Sequence, residues 1–251
     1  MAASPAWIEE IVLSIQGEGA EAGKPHLFLR LSGCPLRCNY CDTPESWHRS
    51  AEFQLHYPDG SEAVSNPISG VSLSQYLTDV CGRSGVTPGD VVLAITGGEP
   101  LVQSEFLTAW LPTWKGRVML ETAGLWPQRL AGLSNLVEMV SLDWKLASTL
   151  LPSEEQVAPA ECLRELTARN CTHWVKVVLS DEVWENELDV ALAEISKVSP
   201  NCQVFLQPLT PRPGSPATAT AGFIQAALLR NRNLDLRLRV LPQLHPLLQV
   251  R

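Results

Sequence analysis

The chain has 251 residues, 45% of them hydrophobic and 18% charged, enough for one large α/β domain with a core of its own. Its 19 Lys and Arg against 27 Asp and Glu leave a net charge of −8, and no basic run exceeds two residues, which excludes extended contact with nucleic-acid phosphate. No apolar stretch approaches the roughly 20 residues that span a bilayer, so no membrane-spanning helix is expected.

The seven cysteines are odd in number and unevenly placed, and residues 1–7 lack the basic region and apolar core of a secretion signal. These features argue against a disulfide framework and set the expectation of a reducing compartment, the cytoplasm. Cys81, Cys162, Cys171 and Cys202 fall in or beside predicted helices and strands without ligand spacing, and are expected to be small buried hydrophobes.

In chain order, residues 8–15 read as a strand that runs into the polar turn Gln16-Gly17-Glu18-Gly19, and 27–31 as a second strand pairing with the first. The second strand delivers the chain into Gly33-Cys34-Pro35-Leu36-Arg37-Cys38-Asn39-Tyr40-Cys41-Asp42-Thr43, with three cysteines at CxxxCxxC spacing. Three thiolates so close are a ligand set, for zinc if a fourth protein ligand joins them or for an iron–sulfur cube with one open iron if none does. Residues 44–70 show little periodicity, with turn signals at Tyr57-Pro58-Asp59-Gly60 and Asn66-Pro67, and are expected to be an insertion over the site rather than a linker.

The clearest helix is 72–84, where Leu73, Tyr76, Leu77, Val80 and Cys81 follow the 3.6-residue period, Ser72 with Gln75 reads as a capping box, and Gly82 or Gly85 ends the element. Residues 90–95 form a short β-branched run suited to a strand buried on both faces, with Thr96-Gly97-Gly98-Glu99-Pro100 at its C-terminal end. Helices at 105–110, 127–133, 158–169, 182–198 and 218–230 then alternate with strands at 118–121, 137–142, 174–179, 203–207 and 234–241. This alternation specifies an α/β fold, a parallel sheet of roughly six core strands with helices outside, short of an eight-fold barrel and expected to form an incomplete one. The Pro-rich loop 211–216 is too short to divide domains, so residues 1–251 are expected to form a single domain.

Barrels of this kind carry their reacting groups at the C-terminal ends of the strands. Polar clusters recur there: the cysteine loop, Gly97-Gly98-Glu99, Glu121-Thr122, Ser141 with Lys145, and Gln207. The CxxxCxxC spacing with an aromatic residue, Tyr40, before the last cysteine, together with Gly97-Gly98-Glu99-Pro100 after a strand, resembles the radical S-adenosylmethionine (SAM) superfamily. Gln16-Gly17-Glu18-Gly19, Arg30 ahead of Gly33-Cys34, Cys41-Asp42-Thr43, Glu121-Thr122-x-Gly124 and Leu206-Gln207-Pro208 narrow the likeness. Over nearly its whole length the chain is similar to the 7-carboxy-7-deazaguanine synthase family of the queuosine pathway, which serves tRNA modification.

The resemblance implies a partial TIM-like radical SAM barrel and a lyase that converts 6-carboxy-5,6,7,8-tetrahydropterin to 7-carboxy-7-deazaguanine with loss of ammonia. It implies a [4Fe-4S] cluster on Cys34, Cys38 and Cys41, whose fourth iron takes the amino and carboxylate groups of SAM, and a Mg²⁺ ion at the hydroxyl of Thr43. SAM would meet Tyr40, Cys41, Asp42, Gly98, Glu99, Ser141, Asp143, Lys145 and Gln207. The pterin would meet Ile15, Gln16, Gly17, Arg30, Thr96, Glu121, Lys176 and His245. A homodimer and an electron donor such as flavodoxin or ferredoxin complete the implied set.

Two departures bear on the SAM contacts. Ala123 stands where many relatives have Asn, and Ser141-Leu142-Asp143-Trp144-Lys145 is two residues longer than the commoner Ser-Pro-Lys, with Asp143 as a candidate substitute. At the C-terminus Gln243-Leu244-His245 resembles the family's Gln-x-His but Pro246 follows it, so His245 either reaches the substrate or caps the last strand. Two other readings stand beside this one. A glycyl-radical-enzyme activase would share the cysteine motif, and a structural zinc module would recruit His48 as a fourth ligand.

Overall fold

The computed structural model describes residues 4–152 and 157–250; residues 1–3, the start of the segment expected to lack a secretion signal, lie outside the described residues, as do 153–156 and 251. Among the described residues ten strands form one sheet: β1 (Ile8–Ile15), β2 (Pro25–Leu31), β3 (Glu52–Tyr57), β4 (Gly60–Ser65), β5 (Val92–Gly97), β6 (Arg117–Thr122), β7 (Met139–Asp143), β8 (Thr172–Leu179), β9 (Cys202–Pro208) and β10 (Leu236–Val240). Their spatial order is β10-β9-β8-β7-β6-β5-β2-β1-β3-β4. From β2 through β10 every neighbouring pair is parallel, while β1 is antiparallel to β2 and β4 to β3. With β10 and β4 as free edges the sheet is open, the incomplete barrel that the alternation predicts.

Helices α1 (Gly70–Arg83), α2 (Ser104–Trp110), α3 (Pro127–Leu133), α4 (Pro159–Ala168), α5 (Glu185–Val198) and α6 (Ala221–Arg230) cover one face, and a short α7 (Leu244–Leu248) follows the last strand. The sheet's alternation divides the core. Leu27, Leu29, Leu93, Ile95, Leu120, Val140, Val175, Val177, Val204 and Leu206 pack with the helices, whereas Val12, Phe28, Val92, Ala94, Met119, Met139, Trp174 and Phe205 form a second, smaller apolar layer on the concave face. Two residues further along each strand the concave face turns polar: Phe28 is followed by Arg30, Ala94 by Thr96, Met119 by Glu121, Met139 by Ser141, Trp174 by Lys176 and Phe205 by Gln207. The period-2 geometry of a strand therefore stacks a polar tier on an apolar floor.

Three sequence expectations change, the start of α1, the regularity of 44–70 and the burial of Cys171, while Gly85 ends α1 as one of its two expected stops. Helix α1 begins before Ser72, because the Ser69 hydroxyl accepts from the Ser72 backbone N–H at 3.1 Å and is the true N-cap. Its end is a Schellman turn on Gly85 (φ +75°), with Val86 N–H donating to Cys81 C=O and Gly85 N–H to Gly82 C=O. Residues 44–70 are more regular than their weak periodicity suggests: 52–65 form the β3–β4 hairpin, which turns at Pro58-Asp59 and extends the sheet beyond β1. Cys81, Cys162 and Cys202 are buried as expected, and Cys171 is half-buried.

Candidate active site

The cysteine loop leaves β2 and is fixed mainly by its backbone. Gly33 N–H donates to Ser46 C=O at 2.7 Å, Cys34 N–H to Trp47 C=O at 3.2 Å, and Asn39 N–H to Thr149 C=O at 3.0 Å. The Arg37 guanidinium lies over Trp47 and donates to the carbonyls of Cys34 (2.8 Å) and Leu36 (2.7 Å), closing the loop on itself. Leu36 is buried with Ala123 and Leu125, and Cys34 and Cys38 pack on that cluster.

The Gly97-Gly98-Glu99 segment is locked to the same loop. Gly98 N–H donates to Leu31 C=O (2.8 Å) and Glu99 N–H to Gly33 C=O (3.0 Å). A Cβ on Gly98 would lie 2.4 Å from the Gly33 carbonyl oxygen, so only glycine permits the approach. The Glu99 carboxylate does not line the cavity. It is buried behind the wall, where Oε1 accepts from Leu101 N–H (3.0 Å) and the Thr122 hydroxyl (2.7 Å), and Oε2 from Ala123 N–H (2.8 Å). In this chain it joins β5 to the end of β6.

One cavity gathers Cys34, Cys38, Tyr40, Cys41, Asp42, Thr43 and Gly98 with Ile15, Gln16, Gly17, Arg30, Thr96, Glu121, Ser141, Asp143, Lys145, Lys176, Gln207 and His245. Apart from Glu99, every residue that the sequence nominates lines it. Its far wall is a chain of charges. Lys145 Nζ lies 2.7 Å and Lys176 Nζ 3.1 Å from Asp143 Oδ2, and Lys176 reaches Glu18 Oε2 at 2.5 Å. Glu18 Oε1 also accepts from the amides of Gln207 (3.0 Å) and Gln243 (2.6 Å). Burial opposes the Glu18 charge, yet Lys176 and the two amides hold its carboxyl down at about 2. Burial likewise opposes charge on Asp143, but the two lysines keep it below the usual carboxylate range. Lys145 and Lys176 are raised despite burial by their acidic partners.

Glu121 differs. Burial, then the Glu18 charge, pushes its carboxyl up, against hydrogen bonds from Gln16 (2.9 Å) and Thr96 (2.7 Å). Lys145 also donates to the Tyr40 hydroxyl at 3.1 Å. The C-terminal segment closes this side: Leu244 N–H donates to Gly17 C=O at 3.0 Å, and the His245 ring packs so tightly on Gly17 that a Cβ there would lie 2.4 Å from Nδ1. His245 thus faces the cavity from α7 instead of capping β10.

The residues present fit an iron–sulfur cluster and SAM. Burial pushes the Cys34 thiol up to about 12 and raises Cys38, so loading iron onto them releases protons. Two buried acceptors in the wall, Asp143 Oδ1 and Gln207 Oε1, have no hydrogen-bond partner among the described residues and suit the hydroxyl or ammonium donors of such a cofactor. His48, the fourth ligand in a zinc reading, is exposed and off the cavity, and among the described residues no three His, Cys, Asp or Glu side chains are grouped to hold one metal ion.

The sequence does not single out Glu18 and Gln243 as site residues, although both line the cavity and lie inside the Gln16–Gly19 and Gln243–His245 motifs. The available signal was their position: each sits one or two residues from a nominated contact.

Three thiols on a loop at the strand ends of an open parallel α/β sheet, beside a glycine-rich strand end, define a protein of the radical SAM type. A family model for a 4Fe-4S single cluster domain matches residues 15–127. The 7-carboxy-7-deazaguanine synthase of Methanopyrus kandleri is 35% identical over 255 residues, covering 96% of this chain and 92% of that protein, and the one from Geobacter sulfurreducens is 30% identical, covering 95% of each. The crystal structure of QueE from Escherichia coli shares the fold, with a TM-score of 0.59 at 20% identity over 94% of this chain and 93% of that one. The chain belongs to the 7-carboxy-7-deazaguanine synthase family.

Proposed function

We propose that this chain, as one radical SAM domain, converts 6-carboxy-5,6,7,8-tetrahydropterin to 7-carboxy-7-deazaguanine with loss of ammonia, the queuosine-pathway reaction for which its relatives are named. One observation carries the reading. The cysteine loop, the Gln16-Gly17-Glu18 turn, Arg30 and the strand-end polar tier, spread over most of the chain, converge on a single cavity.

When bound, the cluster and SAM supply the radical that takes hydrogen from the substrate. Cys34, Cys38 and Cys41 would hold the cluster. Tyr40, Cys41 and Asp42 border the adenine of SAM, and Gly98, Ser141, Asp143, Lys145 and Gln207 take its polar groups, with Glu99 stiffening the glycine segment from behind. Ile15, Gln16, Gly17, Thr96, Glu121, Lys176 and His245 orient the pterin, and the Arg30 guanidinium takes its carboxylate. Of the wall carboxyls Glu18, Asp143 and Glu121, Glu121 is the one that burial and the neighbouring Glu18 charge push up, which suits it to proton exchange as ammonia departs. Thr43 would supply one oxygen to Mg²⁺, and because a lone hydroxyl is a weak magnesium site the ion would depend on the substrate for further oxygens. The working unit is a homodimer in the cytoplasm, reduced by a carrier such as flavodoxin or ferredoxin.

The deciding experiment incubates the anaerobically reconstituted protein with this pterin, SAM, Mg²⁺ and a chemical reductant. Formation of the deazapurine with release of ammonia, slowed when Mg²⁺ is withheld, is expected. An intact cluster that cleaves SAM without forming the deazapurine overturns the substrate, and one zinc per chain in place of iron overturns the whole reading.

A further inference from the structure

We infer that Glu10 and His56 form a relay that aims Arg30, so that the β3–β4 hairpin sets how tightly the site holds the carboxylate of its substrate. This rests on the proposed role of Arg30. No residue of β3 or β4 lines the cavity, and the motifs that nominate the site assign nothing to either strand or to Glu10.

The relay follows from strand register. Glu10 of β1 stands directly opposite Arg30 of β2, on the concave face that also carries Val12 and Phe28. On the other side of β1, Glu10 pairs with Gln54 of β3, and two residues along the same face of β3 is His56. The side chains meet across these strands: Arg30 Nε donates to Glu10 Oε1 at 2.7 Å, and His56 Nε2 lies 3.1 Å from Glu10 Oε2. Exposure falls from 23% at Arg30 to 19% at Glu10 and 12% at His56, so the arrangement recedes from the cavity into the sheet.

Both oxygens of Glu10 are thereby engaged, and the carboxylate is held from two sides. Arg30 is fixed through one nitrogen, with its guanidinium carbon 5.5 Å from the Phe28 ring centroid. Among the described residues its two Nη groups make no hydrogen bond, and the side chain lines the cavity. A guanidinium tethered at Nε presents those terminal groups as a preformed fork, the geometry that binds a carboxylate bidentately. An untethered arginine would lose rotamer freedom on binding, weakening the complex. Glu10 and His56 are positioning residues: they act through Arg30 and do not touch the substrate.

The test measures equilibrium binding of the carboxylated pterin, and of tetrahydropterin lacking the carboxylate, to cluster-loaded protein with SAM and no reductant, so that no turnover occurs. Glu10→Ala should weaken the carboxylated pterin about tenfold, the scale of one charge-assisted hydrogen bond, and leave the uncarboxylated one nearly unchanged. His56→Ala should shift it in the same direction by about threefold, and Glu10→Gln, which keeps an acceptor for Nε, should restore most of the loss. In an Arg30→Ala background Glu10→Ala should add nothing further, as expected when one residue acts through the other.

Equal weakening of both pterins, or a full additional loss in the Arg30→Ala background, overturns the relay while leaving the role of Arg30 intact. An Arg30→Ala protein that still distinguishes the two pterins as wild type does overturns the carboxylate reading itself, and the relay with it. Iron content and SAM affinity report folding. Should Glu10→Ala lose both, Glu10→Gln and His56→Ala decide, since Gln matches the size of Glu and His56 stands one step further from the site.

Discussion

The cysteine rim and the charged wall share one cavity but are held by different forces. Around Cys34, Cys38 and Cys41 the fixed points are backbone hydrogen bonds, the buried Leu36 and the contact of Gly98 with the Gly33 carbonyl. Across the wall the fixed points are the ions Glu18, Lys176, Asp143 and Lys145, each brought from a different strand or loop and each dependent on its neighbour's charge. A backbone-held rim keeps its shape whatever its side chains do with protons. A wall of buried ions holds only while every member keeps its charge, because removing one partner strands the other in a medium of low dielectric.

The largest effects should fall on the rim. Cys38→Ala is expected to lower iron from about four per chain to near zero after reconstitution, with loss of the brown colour and of product formation, measured by metal analysis and absorbance. Retention of a full cluster would remove Cys38 from the ligand set. Gly98→Ala comes next. Its Cβ would meet backbone on three counts, Gly33 O at 2.4 Å, Gly33 C at 2.8 Å and Ser46 O at 2.9 Å, and none of these can swing aside. A loss of about 3 kcal/mol in denaturant unfolding is expected, the upper end for a single substitution. A variant as stable as wild type would mean that the rim is not backbone-locked and would break the comparison.

This difference also explains what could be read from the chain alone. The rim is local: CxxxCxxC and Gly97-Gly98 are contiguous, and their spacing already states their chemistry. The parallel sheet was equally legible, since buried parallel strands announce themselves as β-branched runs between helices. The wall was legible only in part: strand-end position marks Lys145 and Gln207, the family resemblance adds Asp143 and Lys176, and neither nominates Glu18. Lys176 and Glu18 are 158 residues apart in sequence and meet only because β8 lies across the concave face from the β1–β2 turn. Glu99 shows the reverse case, since its motif marks it for the cavity while three donors hold its carboxylate behind the wall. In the β3–β4 hairpin the edge strand Gly60–Ser65 is exposed along nearly its whole length and lacks the alternation that marks a half-buried strand, whereas β3 carries it, with Phe53 and Leu55 buried and Glu52 and Gln54 exposed, in too short a run to stand out from the turn signals around it.

The wall should respond to pH where the rim does not. The Glu18 carboxyl lies at about 2 in the folded protein against an ordinary 4.5, so the unfolded chain binds its proton first as acid is added. Its contribution is complete above about pH 4.5 and is lost as pH falls toward 2. Glu18→Gln keeps the shape and removes the charge, leaving Lys176 to Asp143 alone. A destabilisation of about 3 kcal/mol at neutral pH is expected, as for one partner taken from a buried pair, shrinking as the pH falls toward 2. Unfolding measured across that range tests both parts; an acid slope as steep in the variant as in wild type would mean that Glu18 is not what holds the wall.

The smallest effect is the sharpest test of the rim. Arg212, on the proline-rich loop 211–216, is half exposed and donates to the Asp42 carbonyl, with its Nη2 4.0 Å from the Asp42 carboxylate. It is the charged contact that reaches from that loop to the residue after Cys41. If backbone and packing hold the rim, this pair is ornamental to it: an exposed ion pair contributes about 0–1 kcal/mol and fades with salt. Arg212→Ala should therefore change unfolding by no more than about 0.5 kcal/mol, and its iron content should match wild type at low and high salt alike. A variant that sheds iron, and a wild type that sheds it in high salt, would show that charge secures the cysteine loop after all, and the two sides of the cavity would then be built alike.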